Sequence, residues 1–443
     1  MLTLPMTRTI SGMFWIGLYL LVVLIPVFLM LVPPTPSGRG FWLEFSVALG
    51  FVGLTQIVIQ FVLIARFQRV TAPYGIDVIL RYHRQIALVA VAAILVHPLV
   101  IVIDNPSRLE LLNPFGGNMA SRMALISVAA LLLIVVSSLY REQLKVSYEW
   151  WRLSHLVLGV VAIVFAQLHV SMAGLYTNTV WKQAIWTAIA VATVGLVIYL
   201  RVVKPAWQRG YRWRVAEVRE ERGDTRTLVL EPIGHDGLHF EPGQFAWIKL
   251  AQSPFTLEEH PFSFVSSAER PGRLEFGIKA LGDFSGRVGD IPKGTPAYLD
   301  GPHGAFSIDR YEAAGYVFIA GGVGITPIMS FLRTMAHRAD PRPVLLFYAD
   351  KTYDGMAYRD EIDTLATQLD LTVIDVIEEP DEHWQGETGV LTADVLARHL
   401  PDESFARMYF LCGPEPMFNA VQPALLERGV PEDRIQLERF SLV

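Results

Sequence analysis

Four histidines have the type and spacing to do chemistry: His83 and His97 in one apolar stretch, His155 and His169 in another. Each pair is fourteen residues apart. On an α-helix that interval advances about 21 Å and ends about 40° short of four full turns, so both rings leave the same face. One ring of each pair then lies near each side of a bilayer. Ionisable side chains inside a membrane span are costly and mark a pathway or a bound group. Two such helices side by side offer two stacked bis-imidazole sites, each suited to a six-coordinate haem iron. The competing reading is four unrelated histidines satisfied by backbone or water. It has to explain why a rare intramembrane residue repeats at one spacing.

The elements that must position these rings are legible as hydropathy. The chain has 443 residues, 52% of them hydrophobic, and a mean hydropathy of +0.36. That is too apolar for one soluble domain and long enough for two or three. Residues 1–210 hold 15 Lys and Arg against 6 Asp and Glu, a net of +9; the remaining 22 and 37 give −15, and together the stated −6. A basic membrane half precedes an acidic soluble half, and nothing resembles a nucleic-acid patch. The single cysteine, Cys412, excludes an internal disulfide and any cysteine-based zinc or iron–sulfur site within one chain. No small-residue cleavage site follows the first apolar run, which is expected to stay as a helix.

Six stretches are long enough to span: about 10–32, 41–65, 77–103, 119–140, 148–173 and 182–203. One set of ends carries Arg8, Arg66, Arg69, Arg81, Arg84, Arg141, Lys145, Arg152, Arg201, Lys204 and Arg209; the opposite loops carry Arg39, Arg108, Arg122 and Lys182. The positive-inside rule makes the first set cytoplasmic, with both termini inside. Helices three and five then run in the same direction. That pairs His83 with His155 near the inner face and His97 with His169 near the outer. Arg81, Arg84 and Arg152 lie at the inner level, where haem propionates need positive partners. Pro98 after His97 removes a backbone donor and predicts a kink.

After Pro205 the pattern becomes short alternating strands. Tyr211–Val218, Thr227–Leu230, Phe245–Leu250 and Leu274–Ile278 predict an antiparallel barrel. Within it the run His260-Pro261-Phe262-Ser263 through Ser267 offers hydroxyls to a flavin ring and ribityl chain. The run Gly277 to Ser285, with Lys279, Gly282 and Ser285, fits a diphosphate cradle of backbone amides plus a cation. Tyr316–Ala320 predicts a buried strand entering the turn Gly321-Gly322-Val323-Gly324, with a helix starting near Thr326. Glycines let such a turn approach a pyrophosphate, and the helix presents its positive end. Further strands at Pro343–Ala349, Leu371–Val376 and Met408–Cys412 make a doubly wound α/β sheet. Cys412 ends one of them, where such sheets bind ligands, although a small buried filler is the commoner role for a free cysteine. At the end of the second strand Asp350 favours NADH and Lys351 favours the 2′-phosphate of NADPH, a balance tipped slightly to NADPH.

In this order the motifs are those of a family. The chain resembles the superfamily of ferric reductases and NADPH oxidases in its short bacterial form, from residue 10 to Phe440. The resemblance implies three domains: a ferric-reductase-like transmembrane di-haem bundle of six helices over 1–205, an antiparallel FAD-binding barrel over 206–308 and a doubly wound NAD(P)H-binding domain over 309–443. It implies two b-type haems held by His83, His97, His155 and His169. It implies FAD contacts from His260, Pro261, Phe262, Ser263, Lys279 and the Gly282–Ser285 turn. Gly321, Gly322, Gly324 and Thr326 would hold the nicotinamide dinucleotide, with Cys412 beside the nicotinamide. Phe440 matches the near-terminal aromatic that covers the flavin, although Ser441-Leu442-Val443 follow it here.

The expected activity is electron transfer from cytoplasmic NADPH or NADH through FAD, the inner haem and the outer haem to an extracytoplasmic acceptor. The protein would sit as a multi-pass protein in the cell's inner (plasma) membrane, with its dehydrogenase half in the cytoplasm. Ferric chelates are the favoured acceptor. Superoxide-producing members carry a second histidine one turn beyond the outer ligand, where this chain has Ile101, and an aromatic between the haems, where it has Val161. A bacterial NADPH oxidase remains the first alternative. A transporter with a nucleotide-sensing domain, its histidines relaying protons or binding a metal, is the second. No calcium-binding loop is present to gate the activity.

Overall fold

A computed structural model describes residues 4–35, 38–67, 76–401 and 406–439. The chain divides into two compact units, Met1–Phe67 with Ile79–Val203, and Gln68–Val78 with Lys204–Val443.

The first unit is helical: α1 (Leu4–Leu31), α2 (Phe41–Leu63), α3 (Ile76–Asp104), α4 (Met119–Leu139), α5 (Tyr148–Ala173) and α6 (Val180–Ile198). Among the described residues five helices are long and apolar enough to cross a membrane: α2, α3, α4, α5 and the one beginning at Val180. The expected first span falls on α1, whose apolar stretch Met13–Leu29 is shorter. Local chemistry sets the ends. Asn118 caps α4 by accepting the Ser121 N–H at 2.8 Å, and Gly174 at φ +62° closes α5 in the left-handed conformation.

Helix packing uses small residues, as expected where lipid supplies no hydrophobic drive. A Cβ on Gly53 of α2 would lie 2.7 Å from Ile94 and 3.1 Å from the Ala90 carbonyl of α3. One on Gly159 of α5 would lie 3.0 Å from Phe61. Ser127 of α4 donates to the Ala162 carbonyl of α5 at 2.8 Å. Lys182, read from sequence as an outer-loop charge, is buried and donates to Val32 O at 2.7 Å and Pro34 O at 3.2 Å. It closes the carbonyl end of α1, where a cation is favoured.

The second unit opens with a short helix, α7 (Lys204–Gln208), held by Lys204 to Asp300 at 2.7 Å and by Gln208 to Leu299 O at 2.9 Å. The barrel follows: β1 (Arg212–Glu220), β2 (Thr225–Ile233), β3 (Phe245–Leu250), β4 (His260–Ser263), β5 (Leu274–Lys279), helix α8 (Asp283–Arg287) and β6 (Pro296–His303). Its order is β4-β3-β6-β1-β2-β5, with every pairing antiparallel. Strand β6 joins β3 to β1 and was not anticipated.

The nucleotide-binding lobe holds β7 (Tyr316–Gly321), α9 (Ile325–His337), β8 (Val344–Asp350), α10 (Arg359–Ala366), β9 (Leu371–Ile377), β10 (Glu387–Thr388), α11 (Ala393–His399), β11 (Met408–Gly413), α12 (Glu415–Glu427) and β12 (Ile435–Arg439). Its parallel sheet runs β10-β9-β8-β7-β11-β12. Strand β7 is buried along its whole length, as its unbroken apolar run requires. A buried polar seam joins this lobe to the barrel. Arg333 of α9 donates to Val265 O and Glu275 at 3.0 Å and to Glu361 at 2.6 Å. Thr227 and Tyr358 share a hydrogen bond at 2.8 Å.

Candidate functional site

The structure brings His83 of α3 and His155 of α5 together, ring centres 6.2 Å apart and planes 51° apart. A metal–imidazole bond is about 2.0–2.1 Å and each ring centre lies about 1 Å further back, so two axial imidazoles on one metal have centres about 6 Å apart. The inner pair fits that separation. Trp151, one turn before His155, packs on its ring at 5.3 Å.

The outer pair is fixed by its partners. His97 Nδ1 lies 2.8 Å from the Ser46 carbonyl, and His169 Nδ1 lies 2.9 Å from the Ala120 carbonyl. A carbonyl only accepts, so in both rings Nδ1 carries the proton and Nε2 keeps its lone pair. This is the outer-shell arrangement that orients metal-binding imidazoles. The Ser46 hydroxyl also donates to His97 O at 2.7 Å. Gly50 leaves the space the ring occupies, since a Cβ there would stand 3.3 Å from it. Sequence reading missed Ser46, Gly50 and Ala120. The small residues Ser46, Gly50 and Gly53 at helical spacing on α2 were the available signal. Among the described residues no three His, Cys, Asp or Glu side chains converge as a metal cage. Paired imidazoles suit an iron whose other four ligands come from a macrocycle.

On the barrel, β4 pairs with β3 so that Ser263 faces Phe245 and His260 faces Ile248. Alternation puts His260 and Phe262 on one face, Pro261 and Ser263 on the other. Phe284 stacks on His260 at 4.0 Å and lies 6.0 Å from Phe262, so two separate motifs meet. The Gly282–Ser285 turn is more self-contained than the sequence implied. Ser285 Oγ accepts the amides of Leu281 and Gly282 at 3.0 and 2.9 Å.

The glycine turn follows β7 as expected, with φ +54° at Gly322 and α9 starting at Ile325. Its glycines are needed for close approach. A Cβ on Gly324 would stand 2.0 Å from the Cys412 carbonyl, and one on Gly321 2.8 Å from Pro414. Thr326 Oγ1 donates back to Val323 O at 2.9 Å. A Cβ on Gly277 would stand 2.5 Å from the Thr326 methyl, so this bare strand position brings the barrel motif against the dinucleotide turn.

Cys412 is fully enclosed, and burial, with the Glu438 carboxylate adding to it, pushes its thiol well up. Reactive cysteines are shifted the opposite way, toward the thiolate. Lys279 lies 4.0 Å from Asp350 Oδ2, and the Asp350 side chain is 7% exposed. Burial raises the Asp350 carboxyl, against the opposing pull of the Lys279 ammonium. Lys351 faces Glu379 at 3.2 Å. Phe440 lies outside the described residues; the last described one, Arg439, sits beside Gly413 in the β11–β12 register.

Three family models match the chain in order: a ferric reductase like transmembrane component over residues 49–166, an FAD-binding domain over 214–291 and an oxidoreductase NAD-binding domain over 318–423. The first takes in His83, His97 and His155. The second takes in His260–Ser263 and the Gly282–Ser285 turn, and the third the glycine turn, Lys351 and Cys412. The reductase component of propane 2-monooxygenase from Rhodococcus jostii is 35% identical over 239 residues, 52% of this chain and 63% of that protein. Its counterpart from Mycolicibacterium smegmatis is 34% identical over 52% of this chain and 67% of its own length. Among solved structures, the FAD/NAD binding domain of nitric oxide dioxygenase from Vibrio cholerae covers 52% of this chain and 98% of its own, at 24% identity and a TM-score of 0.47.

Proposed function

The chain belongs to the superfamily of ferric reductases and NADPH oxidases, and from that premise we propose that it carries electrons from cytoplasmic NAD(P)H across a membrane to an acceptor outside, most readily a ferric chelate. It is a membrane-linked, FAD- and NAD(P)H-dependent oxidoreductase. The proposal adds two b-type haems, an inner one on His83 and His155 and an outer one on His97 and His169. It also adds the domain limits 1–205, 206–308 and 309–443, six spans and an inner-membrane location with the dehydrogenase half in the cytoplasm. The observation that supports it best is the inner ring separation of 6.2 Å beside an outer pair whose Nδ1 protons are committed to carbonyls.

Bound flavin supplies the conversion of a hydride into single electrons, and bound haem the one-electron relay. The residues do the rest. His260, Pro261, Phe262 and Ser263, with Phe284 over them, hold the flavin side, while Gly282 and Ser285 fix the turn beside it. Gly321, Gly322 and Gly324 admit a dinucleotide diphosphate to the amide end of α9, with Thr326 bracing the first turn. Cys412 supports that turn from beneath. Lys279 and Asp350 lie between barrel and dinucleotide lobe, and Phe440 is assigned to cover the flavin ring.

The acceptor follows from Ile101, on the last turn of α3. An aliphatic outer pocket offers a nascent superoxide anion no hydrogen bond, and an unpaired buried anion is strongly disfavoured. A ferric chelate takes its electron at an exposed edge instead. The test is anaerobic reduction of the purified full-length protein by NADH or NADPH, followed through the flavin and haem bands, with ferric citrate or air then added. Bleached flavin with no haem band rejects the relay. Superoxide accounting for all electron flow in air, with a negligible anaerobic ferric rate, rejects the acceptor.

A further inference from the structure

Three of the four histidines have a polar group at Nδ1: His97 and His169 a backbone carbonyl, and His155 the Ser138 hydroxyl at 3.4 Å. At the outer end, His97 Nδ1 meets a group on α2, the Ser46 carbonyl, at 2.8 Å. At the inner end, His83 Nδ1 is buried and has no hydrogen-bond partner. A buried polar atom left unmade is expensive, and more so where no water reaches it.

A second orphan lies on the helix that serves His97. Gln60 of α2 is 5% exposed, and both its amide nitrogen and its carbonyl oxygen lack partners. Helix register brings the two orphans to one level. Ser46 and Gln60 are fourteen residues apart on α2, and His97 and His83 are fourteen apart on α3, in opposite chain directions. The helices run antiparallel in contact: Ser46 and Gly50 meet His97, and further along Gly53 meets Ile94 and Ala90. Carried on by the same interval, Gln60 arrives at the level of His83. Its direction agrees, since seven residues past Gly53 a helical position returns to within about 20° of the same face.

We propose that Gln60 is the positioning residue of the inner site, its side-chain carbonyl accepting the proton of His83 Nδ1 as the Ser46 backbone accepts that of His97. The three rotatable bonds of glutamine let the amide reach across. The bond would hold His83 with Nε2 as the free nitrogen and raise its basicity. A more basic axial imidazole stabilises ferric over ferrous iron, so the bond lowers the inner reduction potential. This rests on the two-haem reading above.

The test is redox titration of the full-length protein in detergent, with haem content measured alongside. The inner step is identified as the one that His155→Leu removes. Gln60→Leu is expected to raise that step and leave the outer one in place. Gln60→Glu, with a stronger acceptor, is expected to lower it. If Gln60→Leu loses the inner haem altogether, Gln60→Glu is expected to keep it. An inner step unmoved in both variants, moved the same way in both, or lost in both overturns the assignment. A wild-type protein without haem overturns the underlying reading instead, so the two failures are distinct.

Discussion

The two units hold their candidate sites by opposite means. In the membrane unit the histidines rest on isolated polar contacts in apolar surroundings, as His169 does on the Ala120 carbonyl, while His83 Nδ1 has none. In the dehydrogenase unit the sites hang on a seam where Arg333, Glu275, Glu361, Thr227 and Tyr358 interlock. Water explains the difference. A soluble domain can assemble charges at its margins and bury them together, whereas a span must satisfy every polar group locally. Damage should therefore stay local in the first unit and spread in the second.

The largest effect breaks the relay outright. His97→Leu is expected to remove the outer haem alone and His155→Leu the inner alone, taking the haem count from two to one while NAD(P)H still bleaches the flavin. Pyridine haemochrome assay with flavin absorbance checks both, and loss of both haems in either variant breaks the claim of locality. Arg333→Met should do the reverse. Removing one partner of a buried ion network costs up to about 3–5 kcal/mol; here Glu361 loses its arginine, while Glu275 keeps Arg219 and Arg273. The thermal transition that releases flavin should fall by several degrees, with both haem bands unchanged.

Smaller changes sharpen the contrast. Gly50→Ala places a methyl 3.3 Å from the His97 ring. Overpacking of this kind costs about 1–3 kcal/mol, seen as weaker retention of the outer haem during purification with the inner unaffected. The smallest effect concerns the electron donor. The ends of β8 and β9 run on side by side, with Glu378 N on Asp350 O at 3.1 Å and Glu379 N on Lys351 O at 2.8 Å. With Lys351 already facing Glu379, a 2′-phosphate meets an acidic rim, so NADH should be the better donor, against the slight tilt read from sequence. Lys351→Ala should change the ratio of kcat/KM for the two donors less than twofold. Glu379→Gln, which frees Lys351, should move it toward NADPH. A tenfold loss of NADPH use in Lys351→Ala would restore the sequence-based preference.

What was legible in the sequence was whatever one element carries by itself. Histidine spacing fixes which face a ring leaves, because helix geometry is rigid over fourteen residues. The buried run Tyr316–Ala320 and its glycine turn were plain because strand, turn and helix are contiguous. The antiparallel barrel was read from alternation, but β6 was not, since Pro296 and Gly301-Pro302 interrupt its pattern. Partners distant in the chain were invisible: Ser46 and His97 are 51 residues apart, and Lys182 reaches 150 residues back to Val32. A lysine beside a loop reads as exposed until the helix end it closes is known. Phe284 over His260 escaped for the same reason, and so did Arg333, whose partners Glu275 and Glu361 lie 58 and 28 residues away in the chain.

The outer histidines lean on carbonyls of the main chain, at Ser46 and Ala120, and every residue type has that oxygen. No single-letter change at either position can delete that carbonyl without bending the helix that carries it, although one at Ser46 would remove the hydroxyl that also lies 2.9 Å from His97 Nδ1. A mutating gene therefore has limited means to retune the outer end. At the inner end, if the acceptor is the amide of Gln60, one codon changes it to something stronger, weaker or absent. Drift and selection would then act unequally on two chemically identical ligand pairs. The His83–His155 pair would be the adjustable one, and the His97–His169 pair would be held largely by the backbone itself.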